Sequence, residues 1–214
     1  MNFLHFMSAN REQVLELTLE HMTLAGVSTF IAALVGIPLG IVITRIPTLS
    51  KPIIGGANVI QTIPSLALFG FLIPVPWIGD RASRLAILAL ALYGLLPLIR
   101  NTYAGIRGVD PGVVEAGRAM GLTDRQLLFQ VELPLASGVI VAGLRIATVL
   151  SIGLATIAAA IGAGGLGEFI FRGLAMVDYQ VILAGAVPAA LLALAADFLL
   201  GLLERRLGAL WRKS

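Results

Sequence analysis

Cysteine is absent from the 214 residues, which excludes a disulfide framework and any thiolate metal site. Charge is scarce: 13% of residues are Asp, Glu, Lys or Arg, against roughly 25% in a soluble globular domain. Lysine occurs only at Lys51 and Lys213. No G-x-x-x-x-G-K-[ST] phosphate loop is therefore possible, and the glycine run Gly162-Ala163-Gly164-Gly165-Leu166-Gly167 lacks the lysine that a nucleotide loop needs. Histidine occurs only at His5 and His21, and the pattern places neither deep in an apolar segment. H-E-x-x-H and paired-Asp motifs are missing too. An intramembrane enzyme needs a nucleophile–base pair or metal ligands, so no catalytic residue, metal ligand or bound cofactor is assigned. With two Trp and three Tyr, none clustered, there is no aromatic cage for a quaternary ammonium.

What is abundant is apolar. Hydrophobic residues make up 58% of the chain and the mean hydropathy is +0.95, which defines an all-α integral membrane protein. A span needs about 20 apolar residues, and the spacing of charges predicts five: 22–44, 53–73, 85–106, 135–161 and 179–203. Residues 1–20 read as an N-terminal segment outside the membrane, with a short amphipathic helix over 8–20 on which Glu12, Glu16 and Glu20 share one solvated face. Met1–Leu19 has no basic start, so no cleavable signal is expected. Residues 206–214 form a basic tail.

Between the third and fourth spans lies the longest polar interval, 107–134. Two short helices are predicted in it. Asp110 caps the first, Pro111 suits its first position, and Gly121 ends it in the left-handed conformation. Thr123-Asp124-Arg125-Gln126 is a capping box that opens the second, which is expected to end at Pro134.

Sidedness follows from basic residues. The side of 107–134 carries nine: Arg45, Lys51, Arg107, Arg118, Arg125, Arg205, Arg206, Arg212 and Lys213; the other carries four: Arg11, Arg81, Arg84 and Arg172. This predicts the N-terminus outside and the C-terminus inside.

Three intramembrane features are candidates for a pathway or gate. Gln61, Thr62, Pro64 and Ser65 lie within span two, where Pro64 frees a backbone carbonyl that must face protein or a wet cavity; a kink satisfied by neighbouring helices is the alternative. Arg145 in span four and Asp197 in span five lie at comparable depth and are expected to pair, with snorkelling of Arg145 as the alternative. Small residues crowd span four, among them Gly138, Gly143, Ala147 and Ser151, which predicts close helix approach.

Glu115-Ala116-Gly117, three residues, Gly121, nine residues and then Val131-Glu132-Leu133-Pro134 resembles the EAA loop, E-A-A-x3-G-x9-I-x-L-P, of binding-protein-dependent ABC importer permeases. Gly117 replaces the third Ala and Val131 the Ile. With Gln61–Leu68 and Ile161–Gly167, the likeness over about 18–205 extends to the glycine betaine/choline/carnitine (osmoprotectant) permeases, with methionine permeases as the second choice. The resemblance implies a type I importer (MetI-like) permease domain over 21–205 in a bacterial or archaeal inner membrane. It implies that Glu115, Ala116, Gly117, Gly121, Leu133 and Pro134 dock a cytoplasmic ABC ATPase, which uses ATP-Mg. It further implies a second permease subunit, same or homologous, and an extracytoplasmic substrate-binding protein, with no nucleic acid partner. A secondary transporter or channel, which needs no docking loop, is the reading from another class.

Overall fold

The computed structural model describes residues 3–210; Arg212 and Lys213 of the expected basic tail lie outside them. A short helix, α1 (Phe3–Ala9), is followed by α2 (Arg11–Arg45), α3 (Ser50–Thr62), α4 (Ser65–Leu72) and α5 (Ala82–Arg107). Two short helices, α6 (Pro111–Ala119) and α7 (Asp124–Leu127), lead into α8 (Leu133–Ala158), then α9 (Gly167–Met176) and α10 (Tyr179–Leu210). Among the described residues, four helices are long and apolar enough to cross a membrane, and a fifth crossing is available if the bent pair Pro47–Thr62 and Ser65–Leu72 counts as one.

Several expectations change. The amphipathic helix over 8–20 is not separate: the only break is at Asn10, whose side-chain amide donates to the Phe6 carbonyl at 2.9 Å. From Arg11 onward nothing interrupts the helix before the span, since no Gly or Pro occurs until Gly26. Span two is not a kinked helix but two helices bent by 103°. Ile63 precedes a proline and is driven out of the helical region; Ile63 and Pro64 are both extended, with ψ of 130° and 138°. At the far end, α10 continues to Leu210, so 206–210 of the expected tail is helix.

α5 is the centre of the bundle and packs against α2 and α8. Of its most apolar stretch 61% is buried, against 6% for the last helix, which turns Leu194 and Phe198 outward. Lipid is as apolar as leucine, so the helices gain little by hiding leucine from it and associate through close packing instead. Gly143 shows this: a Cβ there would lie 2.7 Å from the Asn101 Cβ and 2.9 Å from the Pro97 carbonyl oxygen.

At the end of the bundle opposite the 107–134 interval, the glycine run folds onto the start of α2. Gly164 and Gly165 are left-handed, with φ of 85° and 81°. The Gly165 N–H donates to Glu20 Oε2 at 3.0 Å, and a Cβ on Gly164 would meet that oxygen at 2.4 Å. Glu20 stays exposed with Glu12 and Glu16, and in addition holds the glycine run. Beside it His21 is fully buried among the helices, and its Nε2–H donates to the Ile152 carbonyl at 3.0 Å.

Replacing Gly143 by Val is expected to destabilise the folded protein by about 1–3 kcal/mol through overpacking. Gly153→Ala meets nothing within 4 Å and is expected to stay within about 0.5 kcal/mol of the parent. Thermal unfolding of both purified variants in detergent checks the contrast.

Candidate docking site and membrane cavity

The 107–134 interval folds as its capping residues dictate. The Gly112 N–H donates to Asp110 Oδ1 at 2.7 Å and starts α6. Gly121 adopts φ +85°, and the chain closes behind α6 with Leu122 N–H to Gly117 O at 3.1 Å and Gly121 N–H to Arg118 O at 2.9 Å. These two bonds form a Schellman motif. Thr123 and Gln126 complete the capping box: the Gln126 N–H donates to Thr123 Oγ1 at 3.3 Å, and Gln126 Oε1 accepts from the Thr123 N–H at 2.9 Å. Gly117 is the one residue of α6 buried, against Leu127. A Cβ there would lie 2.9 Å from Leu127 Cδ2, so the glycine brings α6 close to α7. Glu115, Ala116 and Gly121 stay exposed, as does Met120, at 77%. Met120 thus stands exposed beside an acid and small residues on one face of the pair.

The second helix does not stop at Pro134. A π turn over Leu128–Glu132 joins α7 to α8, and the Leu133 N–H bonds to the Leu128 carbonyl. Proline clashes with the carbonyl four residues back; the wider π turn accommodates it, and Pro134 sits in the first turn of α8. One helical rod therefore runs from Asp124 to Ile161. Leu133 and Pro134 are half-buried at its bend and are not presented with Glu115.

Glu132, in the π turn, is buried and held in a two-pronged ion pair by Arg45 at the end of α2. Arg45 Nη1 donates to Glu132 Oε1 at 3.1 Å and Nη2 to Oε2. The side chains are 38% and 7% exposed, so the acid depends on the guanidinium far more than the reverse. Arg145 and Asp197 are also paired: Nε and Nη2 donate to the two carboxylate oxygens at 2.6 and 3.0 Å, and Nη1 donates to Glu204 Oε2 at 3.1 Å. This cluster ties α8 to α10.

A cavity of about 630 Å³ opens between α3, α5 and α8, lined by Gln61, Tyr93, Pro97, Arg100, Asn101 and Leu150 among others. Pro97 has no N–H, so the Tyr93 carbonyl four residues back loses its helical donor; the Gln61 side-chain amide reaches it at 3.4 Å. In return the Tyr93 hydroxyl donates to the Ile63 carbonyl, at the break before Pro64. Two proline-freed regions thus satisfy one another. Of the sequence candidates, only Gln61 enters the cavity lining. Thr62 is exposed, with its hydroxyl bonded to the Val59 carbonyl. Pro64 makes the break, Ser65 is half-buried behind it, and Arg145 and Asp197 do not line the cavity.

Sequence reasoning missed Tyr93, Arg100, Asn101 and the Arg45–Glu132 pair. For Tyr93 a signal existed, since any residue four before a mid-helix proline loses a donor. For Arg45 and Glu132 it was weaker: opposite charges at ends of different spans, 87 residues apart.

Among the described residues, then, four to five apolar helices form a bundle with a folded helical pair at one end and an open, largely apolar cavity that holds one arginine. The family described as binding-protein-dependent transport system inner membrane component matches residues 22–209. The chain is 43% identical over 206 residues to a choline transport system permease protein, OpuBB, of Bacillus subtilis, covering 96% of this chain and 94% of that one. It is 44% identical over 202 residues to a carnitine transport permease protein, OpuCB, of Listeria monocytogenes (94% and 91% covered). It is 42% identical over 206 residues to an osmoprotectant import permease protein, OsmW, of Salmonella typhimurium (95% and 96%). The protein belongs to the family of inner-membrane permease components of binding-protein-dependent transport systems. Among solved structures, an inward-facing MetNI methionine ABC transporter chain superposes with a TM-score of 0.82 at 24% identity, over 92% of this chain and 97% of that one. At that identity the likeness establishes the fold.

Arg45→Ala leaves a buried Glu132 unpaired and is expected to cost about 1–3 kcal/mol, while Arg45→Ala combined with Glu132→Leu recovers most of it. Thermal midpoints of the single and double variants in detergent test this coupling.

Proposed function

We propose that this chain is the permease subunit of an ATP-driven importer for compatible solutes of the quaternary ammonium class: glycine betaine, choline, carnitine or proline betaine. The relatives named for choline, carnitine and osmoprotectant transport support the substrate class. The observation that carries the mechanism is the α6–α7 pair, closed by a Schellman turn and a capping box and exposing Glu115, Ala116 and Met120. That surface docks a cytoplasmic ABC ATPase. The excess of basic residues on its side of the membrane puts it in the cytoplasm, with the N-terminus outside.

Two permease chains, identical or homologous, line the pathway, and an extracytoplasmic binding protein delivers the solute. ATP-Mg draws two ATPases together, and the two docked pairs move with them. The motion passes along the rod Asp124–Ile161, one wall of the cavity, and through Arg45–Glu132 into α2. The cavity turns outward to receive solute and returns inward after hydrolysis.

Gly121→Val forces a β-branched residue into the left-handed region, at roughly 1–3 kcal/mol, and opens the turn behind α6. The variant is expected to insert normally, to lose at least about 90% of co-purifying ATPase, and to lose solute uptake with it. Unchanged recruitment and uptake after scrambling 115–121 would exclude docking at this element.

A further inference from the structure

Two arginines lie within the spans, and they are treated differently. Arg145 is neutralised twice, by Asp197 and Glu204. Arg100 lies seven residues before the end of α5 at Arg107, about 10 Å along the helix axis. Among the described residues it has no carboxylate partner, and its one polar contact is Asn58 Oδ1 at 3.3 Å. The eight residues before it, Leu92–Ile99, are buried or half-buried; Arg100 is exposed, on the cavity wall. An unpaired guanidinium at membrane depth is tolerated only where water or an anion reaches it.

We propose that Arg100 binds the carboxylate of a zwitterionic solute within the membrane cavity, so that the permease itself distinguishes betaines and carnitine from choline, which has no carboxylate. This deepens the function proposed above and rests on it. Arg100 is the only charged group among the cavity's lining residues, and no acid stands there to attract a bare cation. The neighbouring amide nitrogens each already give one of their two hydrogens to a carbonyl, Gln61 Nε2 to Tyr93 and Asn101 Nδ2 to Pro97. Arg100 supplies the charged donors, in the planar fork that suits a carboxylate. Leu150 and Pro97 offer apolar surface to the methylated end. At about 630 Å³ the cavity admits a solute of this size with water around it.

The test uses the importer with its ATPase and binding protein in lipid vesicles, measuring uptake of radiolabelled glycine betaine and of choline. Arg100→Gln is expected to lower glycine betaine uptake at least about tenfold and to leave choline uptake within about twofold. Because the chain has no cysteine, Arg100→Cys with cysteine-free partners gives a second reading. A cationic methanethiosulfonate reagent is expected to restore glycine betaine uptake and an anionic one is not. Equal loss of both solutes, as pairing with the second permease subunit would give, overturns the inference. So does loss of neither, or equal action of the two reagents. A parent protein that imports choline alone overturns it as well. A parent that imports neither solute instead removes the function on which it rests.

Discussion

The ion pair of Arg45 with Glu132 joins the end of the first span to the turn from which α6 and α7 hang. Glu132 is buried, with both carboxylate oxygens met by that guanidinium, and removing one partner of such a pair is costly, so the π turn and the end of α2 are held to one arrangement. Through that turn α7 and α8 are a single rod, and α6 is fastened to α7 by the Schellman bonds and by Leu127 against Gly117. The exposed face of α6, the base of α8 and the end of α2 therefore form one body. Whatever grips Glu115 and Met120 grips two membrane helices. Further along the same rod Ile146, Leu150 and Leu154 face the cavity, so a tilt at the docking end changes the cavity wall.

The second constraint is the backbone itself. Hydrocarbon offers no hydrogen bonds, so every interruption of a helix at membrane depth has to be met by protein or water. Pro64 and Pro97 each interrupt one, and Gln61 and Tyr93 cross between α3 and α5 to serve both breaks. The cavity lies where the regular ladders fail. The few polar groups in its largely apolar lining are the residues that repair the failure, together with Asn101 and Arg100, of which Arg100 repairs nothing.

Much of this was legible in the sequence. Asp110, Gly121, Thr123 and Gln126 specify their caps by local chemistry alone and form them as read. Arg145 and Asp197 could be matched because each is costly alone and they share a depth. Continuity was harder to read. Pro134 signals an end in an ordinary helix, and a π turn that accommodates it leaves no composition signature. Pro64 signals a kink, yet the carbonyl it leaves at the break is met by Tyr93 of another helix, which spacing along the chain does not show. Glu20 is indistinguishable by spacing from Glu12 and Glu16; its role depends on two left-handed glycines far along the chain. His21 looked superficial because α2 was taken to begin after it. These failures share a cause, since each depends on a partner in a different element.

Whether docking element and span move as one body is tested most directly by tying them together. Arg45→Cys and Glu132→Cys, in a chain with no other cysteine, are bridged by a short bifunctional thiol reagent cleavable by reduction. Uptake driven by ATP is then measured in vesicles before and after bridging. Uptake that survives the bridge is the predicted result, because the two ends never need to part. Uptake that stops on bridging and returns on reduction contradicts a rigid joint and places the working hinge between α2 and the π turn.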